Sequence, residues 1–302
     1  MTMLAVAVWL AAAWGATASA APPGTVLRGV PYATVSPLQT LDLYLPDADG
    51  AAPAPLVILI HGGAFRRGSS AQMAPIATTL VRRGYAVAAV NYRLAPAARY
   101  PTGARDVKAA VRWLRVHASD HGIDPWRFAA WGRSAGGWMA TMLGATGGRA
   151  TIFDDPSLGN PTVSSEVQAV VDWYGPVDLS SMEGQLARMP RCRARWPGPH
   201  SRSHLAISRW LGRDPSRSPL TATTNLTGYL ARSATLPPWF IVHGTADCTV
   251  PEAQSRQLRR ALLLTAGEVG YLPLRGVGHG AAGFTDLLTR RSIAFIRRSL
   301  GT

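Results

Sequence analysis

A serine hydroxyl is inert at neutral pH unless a base removes its proton. Ser134 sits where a base could be brought to it. An apolar run, Phe128 to Trp131, is cut off by Gly132-Arg133-Ser134-Ala135-Gly136, and a run of small residues with helical potential, Ala135 to Leu143, follows. This is the sequence form of a nucleophile elbow, a sharp strand-to-helix turn that lifts one hydroxyl above a sheet. Gly132 and Gly136 suit a turn whose backbone segments approach too closely to admit a Cβ. Ser134 would stand at a helix N-terminus, where free N–H groups and the helix dipole favour negative charge.

The usual base for such a serine is histidine, with a carboxylate to fix its tautomer and stabilise the imidazolium. In parallel α/β sheets such groups belong at the C-terminal ends of strands. Two positions meet that condition. Asp247 closes His243-Gly244-Thr245-Ala246-Asp247 after the apolar run Trp239 to Val242. His279 lies between glycines in Gly276-Val277-Gly278-His279-Gly280, after Tyr271 to Leu274. The other six histidines fit other roles. His61 and His243 open turns directly after strands and are predicted to brace their own loops. His117 and His121 have the i, i+4 spacing used by zinc sites, but the metalloprotease glutamate and a third ligand are missing, so no metal is expected. His200 and His204 fall in an irregular segment. Asp172 and Asp178, around the run Val167 to Tyr174, are rivals to Asp247 for the acid.

Positioning these groups calls for a sheet. Leu41, Leu43 and Leu45 alternate with Asp42 and Tyr44, and with Val26 to Val35 they predict an antiparallel hairpin. Leu56 to Ile60 is an uninterrupted apolar run, typical of a strand buried on both faces. Helix and strand signals then alternate: helices over Gln72–Arg83, Ala104–His121, Glu252–Leu264 and Gly283–Ser299, and strands over Tyr85–Tyr92, Phe128–Trp131, Val167–Tyr174, Pro238–His243 and Tyr271–Val277. Such alternation implies an α/β fold with a mostly parallel sheet and helices on both faces. Residues 176–235, rich in Arg, Pro and Ser, are too long for an ordinary connection. They are expected to form a cap-like insertion across the sheet's C-terminal edge.

With 302 residues and 47% hydrophobic composition, the chain can bury a large core and is not disordered. Its formal charge of +14 would ordinarily suggest an anionic partner such as nucleic acid. Lys108 is the only lysine, however, and the arginines are scattered without interleaved aromatics. That skew resembles a compositional bias, and no nucleic-acid partner is expected. Residues 1–20 are uncharged, mostly Ala, Val, Leu and Trp, and end in Ala18-Ser19-Ala20, an A-x-A processing signature. A cleaved signal peptide and a secreted domain over residues 21–302 are expected, with an uncleaved N-terminal membrane anchor as the alternative. In an exported chain the two cysteines, Cys192 and Cys248, suggest one disulfide pinning the acid-bearing loop.

The order Ser134, Asp247, His279 is the nucleophile–acid–base order of α/β-hydrolases. Together with His61-Gly62-Gly63-Ala64-Phe65, Asn91-Tyr92-Arg93-Leu94-Ala95-Pro96 and Gly132-Arg133-Ser134-Ala135-Gly136-Gly137, it makes the chain after residue 20 similar to α/β-hydrolase-fold carboxylesterases of the feruloyl-esterase-like and hormone-sensitive-lipase-like branches. The resemblance implies ester hydrolysis through an acyl-enzyme, without cofactor, on a small-molecule or polymer-linked ester. It also implies an oxyanion hole from the backbone N–H groups of Gly63, Ala64 and Ala135. One departure is Ala64, where lipases often carry a third glycine. An amidase, arylformamidase or acyltransferase on the same machinery remains an alternative, as does a non-catalytic binding member of the fold. Arg93 and Asp106 are expected to form an ion pair that buttresses the sheet.

Overall fold

The computed structural model describes residues 24–47, 52–193, 202–265 and 267–302; the leader-like residues 1–20 lie outside them. Among the described residues, eight strands form one sheet: β1 (Thr25–Pro31), β2 (Thr40–Leu45), β3 (Ala54–Ile60), β4 (Ala86–Val90), β5 (Ile123–Arg133), β6 (Ala169–Trp173), β7 (Trp239–Gly244) and β8 (Val269–Leu274). Their order is β1-β2-β4-β3-β5-β6-β7-β8. β1 and β2 form the expected hairpin and join β4 antiparallel, whereas every pairing from β4 to β8 is parallel.

The apolar run of β3 explains why the sheet is covered on both sides. Leu56, Ile58 and Ile60 belong to one core cluster and Val57 and Leu59 to the other, and all five are fully buried. The first cluster draws in α2 (Thr102–Val116), α3 (Ala135–Thr146) and α8 (Ala253–Leu264). The second draws in α1 (Ala74–Val81) and α9 (Asp286–Leu300). Full burial of such an aliphatic side chain contributes roughly 1.5–3 kcal/mol.

Element boundaries differ from the sequence reading where local chemistry intervenes. Ahead of α1 the chain makes a 3-10 turn over Ser70–Met73, and the α-helix begins at Ala74 with Pro75 in its first turn, where a missing N–H is tolerated. α2 stops at Val116, and a separate 3-10 turn, Ser119–His121, ends at Gly122 in the left-handed region. β5 starts earlier than its apolar part, because Ile123 pairs with Ala54 before the register shifts.

Between β6 and β7 the chain forms α4 (Met182–Ala187), α5 (Pro190–Arg193), α6 (Arg202–Leu211), α7 (Thr227–Leu230) and several 3-10 turns. This segment is fastened to the sheet domain at many points. The Val177 and Asp178 N–H groups donate to Gln254 Oε1, Trp138 Nε1 donates to the Thr224 carbonyl at 3.0 Å, and Tyr100 N–H donates to the Trp210 carbonyl at 2.8 Å. The Cys192–Cys248 disulfide joins α5 to the turn after β7 across 56 residues. By loop entropy alone such a closure stabilises the fold by roughly 4 kcal/mol.

The Arg93–Asp106 pair is present. Asp106 is fully buried and receives Arg93 N–H, Nε and Nη2 together with Gln39 Nε2. Removing the carboxylate strands a guanidinium and an amide. Asp106→Ala is expected to lower unfolding free energy by about 3–5 kcal/mol in urea titrations; a change below about 1 kcal/mol would show that the pair is not a buttress.

Candidate active site

The geometry starts at the end of β5. Ser134 has φ 55° and ψ −120°, a left-handed conformation that costs a non-glycine residue about 1–3 kcal/mol. The turn that imposes it is tight. A Cβ at Gly132 would lie 1.9 Å from the Gly136 carbonyl oxygen, and one at Gly136 would lie 2.1 Å from that of Ile60. Ser134 N–H donates to the Trp173 carbonyl at 2.9 Å, and its own carbonyl accepts Trp138 N–H in the first turn of α3. The hydroxyl is thereby held at the helix N-terminus, above the C-terminal ends of β3 and β5.

Two and three strands away, the turns after β7 and β8 supply the partners. Ser134 Oγ is 2.9 Å from His279 Nε2, and His279 Nδ1 is 2.6 Å from Asp247 Oδ2. A carboxylate only accepts, so Nδ1 carries the proton and Nε2 is left to accept from the serine hydroxyl. Asp247 is fully buried. Burial alone would raise its pKa, but hydrogen bonding to His243 and His279 outweighs it and brings the value down to about 2. Its Oδ1 also accepts the Thr249 and Val250 N–H groups at 2.7 and 3.0 Å.

The other histidines are placed elsewhere. His61 Nδ1 is 2.7 Å from the Gly62 carbonyl, which makes it the donor and a brace for its own loop; the ring stacks on Tyr92 at 4.4 Å. Burial pushes its pKa down to about 4, so it is neutral. His243 Nε2 lies 2.9 Å from the Val250 carbonyl and 3.3 Å from Asp247 Oδ2, while Nδ1 is 2.6 Å from Ser255 Oγ. It clamps the loop that carries Asp247. His117 pairs with Asp120 on the surface, and His204 lies 2.6 Å from Glu183 and 3.1 Å from Asp214. His200 lies outside the described residues.

The two rival acids do not reach His279. Asp178 accepts Ser180 N–H and Gln257 Nε2 at the start of the inserted segment. Asp172 lies under α3, where Oδ1 accepts Gly175 N–H at 2.8 Å and Oδ2 has no partner among the described residues. Burial raises its pKa to about 7, against weaker lowering by His243 and the Gly175 hydrogen bond.

In the loop after β3, Gly63, Ala64 and Phe65 have φ of 118°, 56° and 59°. The N–H groups of Gly63, Ala64 and Ala135 donate no hydrogen bond among the described residues. All three residues line the cavity of about 890 Å³ that holds Ser134 and His279. That volume suits a ligand considerably larger than acetate. Of the five non-glycine residues with positive φ among the described residues, Ala64, Phe65, Ser134 and Tyr174 line it. The inserted segment adds Leu179, Met182, Ala206 and Ile207.

Several site features escaped the sequence reading. Phe65 stacks on Trp210 of α6 at 3.7 Å, and Tyr174 meets the His279 ring edge-on at 4.8 Å. Neither pairing has a signal in residue spacing, because both join segments far apart in sequence. Arg66 and Arg67 directly follow the glycine-rich loop and Arg133 directly precedes the serine; that adjacency was a usable signal.

Known proteins share this architecture. Residues 41–262 match the family model BD-FAE. Over 250 residues the chain is 32% identical to Esterase LipC of Mycobacterium tuberculosis, covering 81% of this chain and 57% of that protein. The chain thus spans little more than half the length of the curated relatives it matches, 56% for Esterase LipQ of the same organism. Among solved structures, a truncated carbohydrate esterase from gut microbiota superposes with a TM-score of 0.78 at 26% identity, covering 93% of this chain and 98% of that one. A propionate-bound thermophilic esterase of Thermogutta terrifontis gives 0.70 at 25% identity, covering 93% and 95%.

Asp172 and Asp247, both fully buried, differ in a way that can be measured. With a folded pKa near 7 against an unfolded value near 3.8, Asp172 favours the folded state below about pH 4 and loses that contribution as pH rises through 7. Asp172→Asn keeps the Gly175 hydrogen bond and removes the buried charge. Its melting temperature is expected to exceed the parent's at pH 8, with the gain shrinking toward pH 4; calorimetry showing a gain independent of pH would contradict the assignment.

Proposed function

Because this chain belongs to the BD-FAE family of α/β-hydrolase-fold esterases, we propose that it is a serine carboxylesterase working through Ser134, His279 and Asp247. The observation that carries this reading is the unbroken hydrogen-bonded row from Ser134 Oγ through the imidazole to Asp247, at the edge of a cavity lined by Gly63, Ala64 and Ala135, whose N–H groups have no partner among the described residues.

Ser134 Oγ attacks the ester carbonyl carbon while His279 Nε2 takes its proton. The carbonyl oxygen becomes an oxyanion facing the N–H groups of Gly63, Ala64 and Ala135, where each well-placed donor stabilises the transition state by roughly 3 kcal/mol. His279 then protonates the departing alkoxide, leaving the acyl group on Ser134. Water enters, gives a proton to Nε2 and attacks the acyl carbon; collapse of the second tetrahedral intermediate returns the proton to Ser134 and frees the acid. Asp247 stays ionised throughout, holds Nδ1–H and stabilises the imidazolium.

The described parts of residues 176–235 act as a cap that adds Leu179, Met182, Ala206 and Ile207 to the cavity wall. The named carbohydrate esterase among the structural relatives favours an ester borne on a sugar or polysaccharide as one natural substrate class. Export of the chain is supported by the leader-like residues 1–20 and is in keeping with the Cys192–Cys248 disulfide. Expressed with its own leader, the protein is expected in the medium or periplasm with Ala21 as its first residue, as read by intact mass; an intact Met1 on membrane-bound protein would favour the anchor instead.

Ser134→Ala is expected to cut 4-nitrophenyl butyrate turnover by at least ~10⁴-fold, and Asp247→Asn by about 10⁴-fold in kcat through the wrong imidazole tautomer. Full activity in Ser134→Ala would remove the proposed nucleophile. Burst kinetics should show one acyl group per Ser134.

A further inference from the structure

The cavity at Ser134 is lined by four arginines, Arg66, Arg67, Arg133 and Arg209, and among the described residues by no aspartate or glutamate. None of the four has an acidic partner among the described residues, whereas Arg28, Arg93, Arg105, Arg112, Arg127 and Arg256 do. Residues 194–201, outside the described residues, include no aspartate or glutamate in their sequence. The gathering of the four arginines is built into the fold. Phe65 stacks on Trp210 at 3.7 Å, and Arg66 and Arg209 are the chain neighbours of that pair, so one aromatic contact holds both cations on the same cavity. Arg133 is pinned by donating Nη2 to the Gln72 carbonyl at 2.7 Å. Arg66 Nε is buried and has no hydrogen-bond partner among the described residues. A buried guanidinium N–H without an acceptor is costly unless a ligand completes it.

We propose that the preferred substrate of this site is an ester that itself carries an anionic group, most simply a carboxylate, received by Arg66 and Arg209 with Arg67 and Arg133 adding to the field. Guanidinium groups pair with carboxylates in forked geometry, and a cleft of one sign concentrates ligands of the other. The inference rests on the esterase reading and narrows its substrate class. The anion can belong to the acyl half of the ester or to the alcohol half.

Matched pairs separate these cases. On the acyl side, mono-(4-nitrophenyl) glutarate is compared with its neutral methyl ester; on the alcohol side, 4-acetoxybenzoate with methyl 4-acetoxybenzoate. At low ionic strength the anionic member of at least one pair is expected to show about tenfold higher kcat/KM than its neutral partner, relative to the same pair in alkaline hydrolysis without enzyme. The preference should shrink severalfold in 0.5 M NaCl, as screening shortens the reach of the charges. Combined Arg66→Gln and Arg209→Gln should collapse the preference, Arg66→Lys should retain part of it, and the exposed Arg260→Gln on α8 should leave it intact. The pair that responds assigns the anion to its half of the ester. Ser134-dependent hydrolysis with a preference near one in both pairs, indifferent to salt and to the arginine substitutions, overturns the anion proposal and leaves the esterase reading standing. No enzymatic hydrolysis of any of the four esters overturns both.

Discussion

The close approach of three backbone segments at Ser134 governs the rest of the molecule. The end of β3, the end of β5 and the first turn of α3 come together so tightly that neither Gly132 nor Gly136 could carry a Cβ. The turn forces Ser134 into the left-handed region, and that conformation raises its hydroxyl above the sheet while its backbone stays tied to Trp173 and Trp138. Isolated, such a turn would relax. Here the strands on either side are buried on both faces, and their packing exceeds the strain many times over.

The same logic explains why the inserted segment is attached so firmly. The loop after β3, with successive residues at φ 118°, 56° and 59°, needs support beyond its own hydrogen bonds. His61, stacked on Tyr92, supports it from below, and Trp210 covers Phe65 from above. The disulfide to Cys248 fixes the inserted segment to the turn that carries Asp247. The inserted segment, the loop after β3 and the turn that carries Asp247 are therefore coupled through one aromatic stack and one covalent bond.

Electrostatics is arranged with equal specificity. Asp172 and Asp247 are both fully buried at the ends of neighbouring strands, yet their pKa values move in opposite directions. Asp247 receives two backbone N–H groups and lies against two imidazoles. Asp172 receives one N–H and leaves an oxygen unpartnered. Burial raises the pKa of both; the hydrogen bonds and charges of His243 and His279 outweigh it only at Asp247, which stays ionised beside His279.

Much of this was legible in the chain itself. Uninterrupted apolar strands such as Leu56 to Ile60, alternating with amphipathic helices, imply a parallel sheet covered on both faces, because periodicity and burial are local consequences of side-chain type. The glycine–serine–glycine spacing implied the elbow, since close backbone contact tolerates glycine alone. The positions of His279 and Asp247 just past apolar runs singled them out from their competitors. Helix ends were less legible: α1 starts at Ala74 behind a 3-10 turn, and α2 stops at Val116, before the separate 3-10 turn that Gly122 ends. What only the tertiary structure decided is which distant side chains meet. The stack of Phe65 on Trp210, the edge of Tyr174 against His279, the clamp of His243 on the acid loop and the convergence of four arginines all join residues whose separation along the chain carries no period. Such contacts are set by how strands order themselves in the sheet and how the insertion folds back over it, and those are properties of the packed whole.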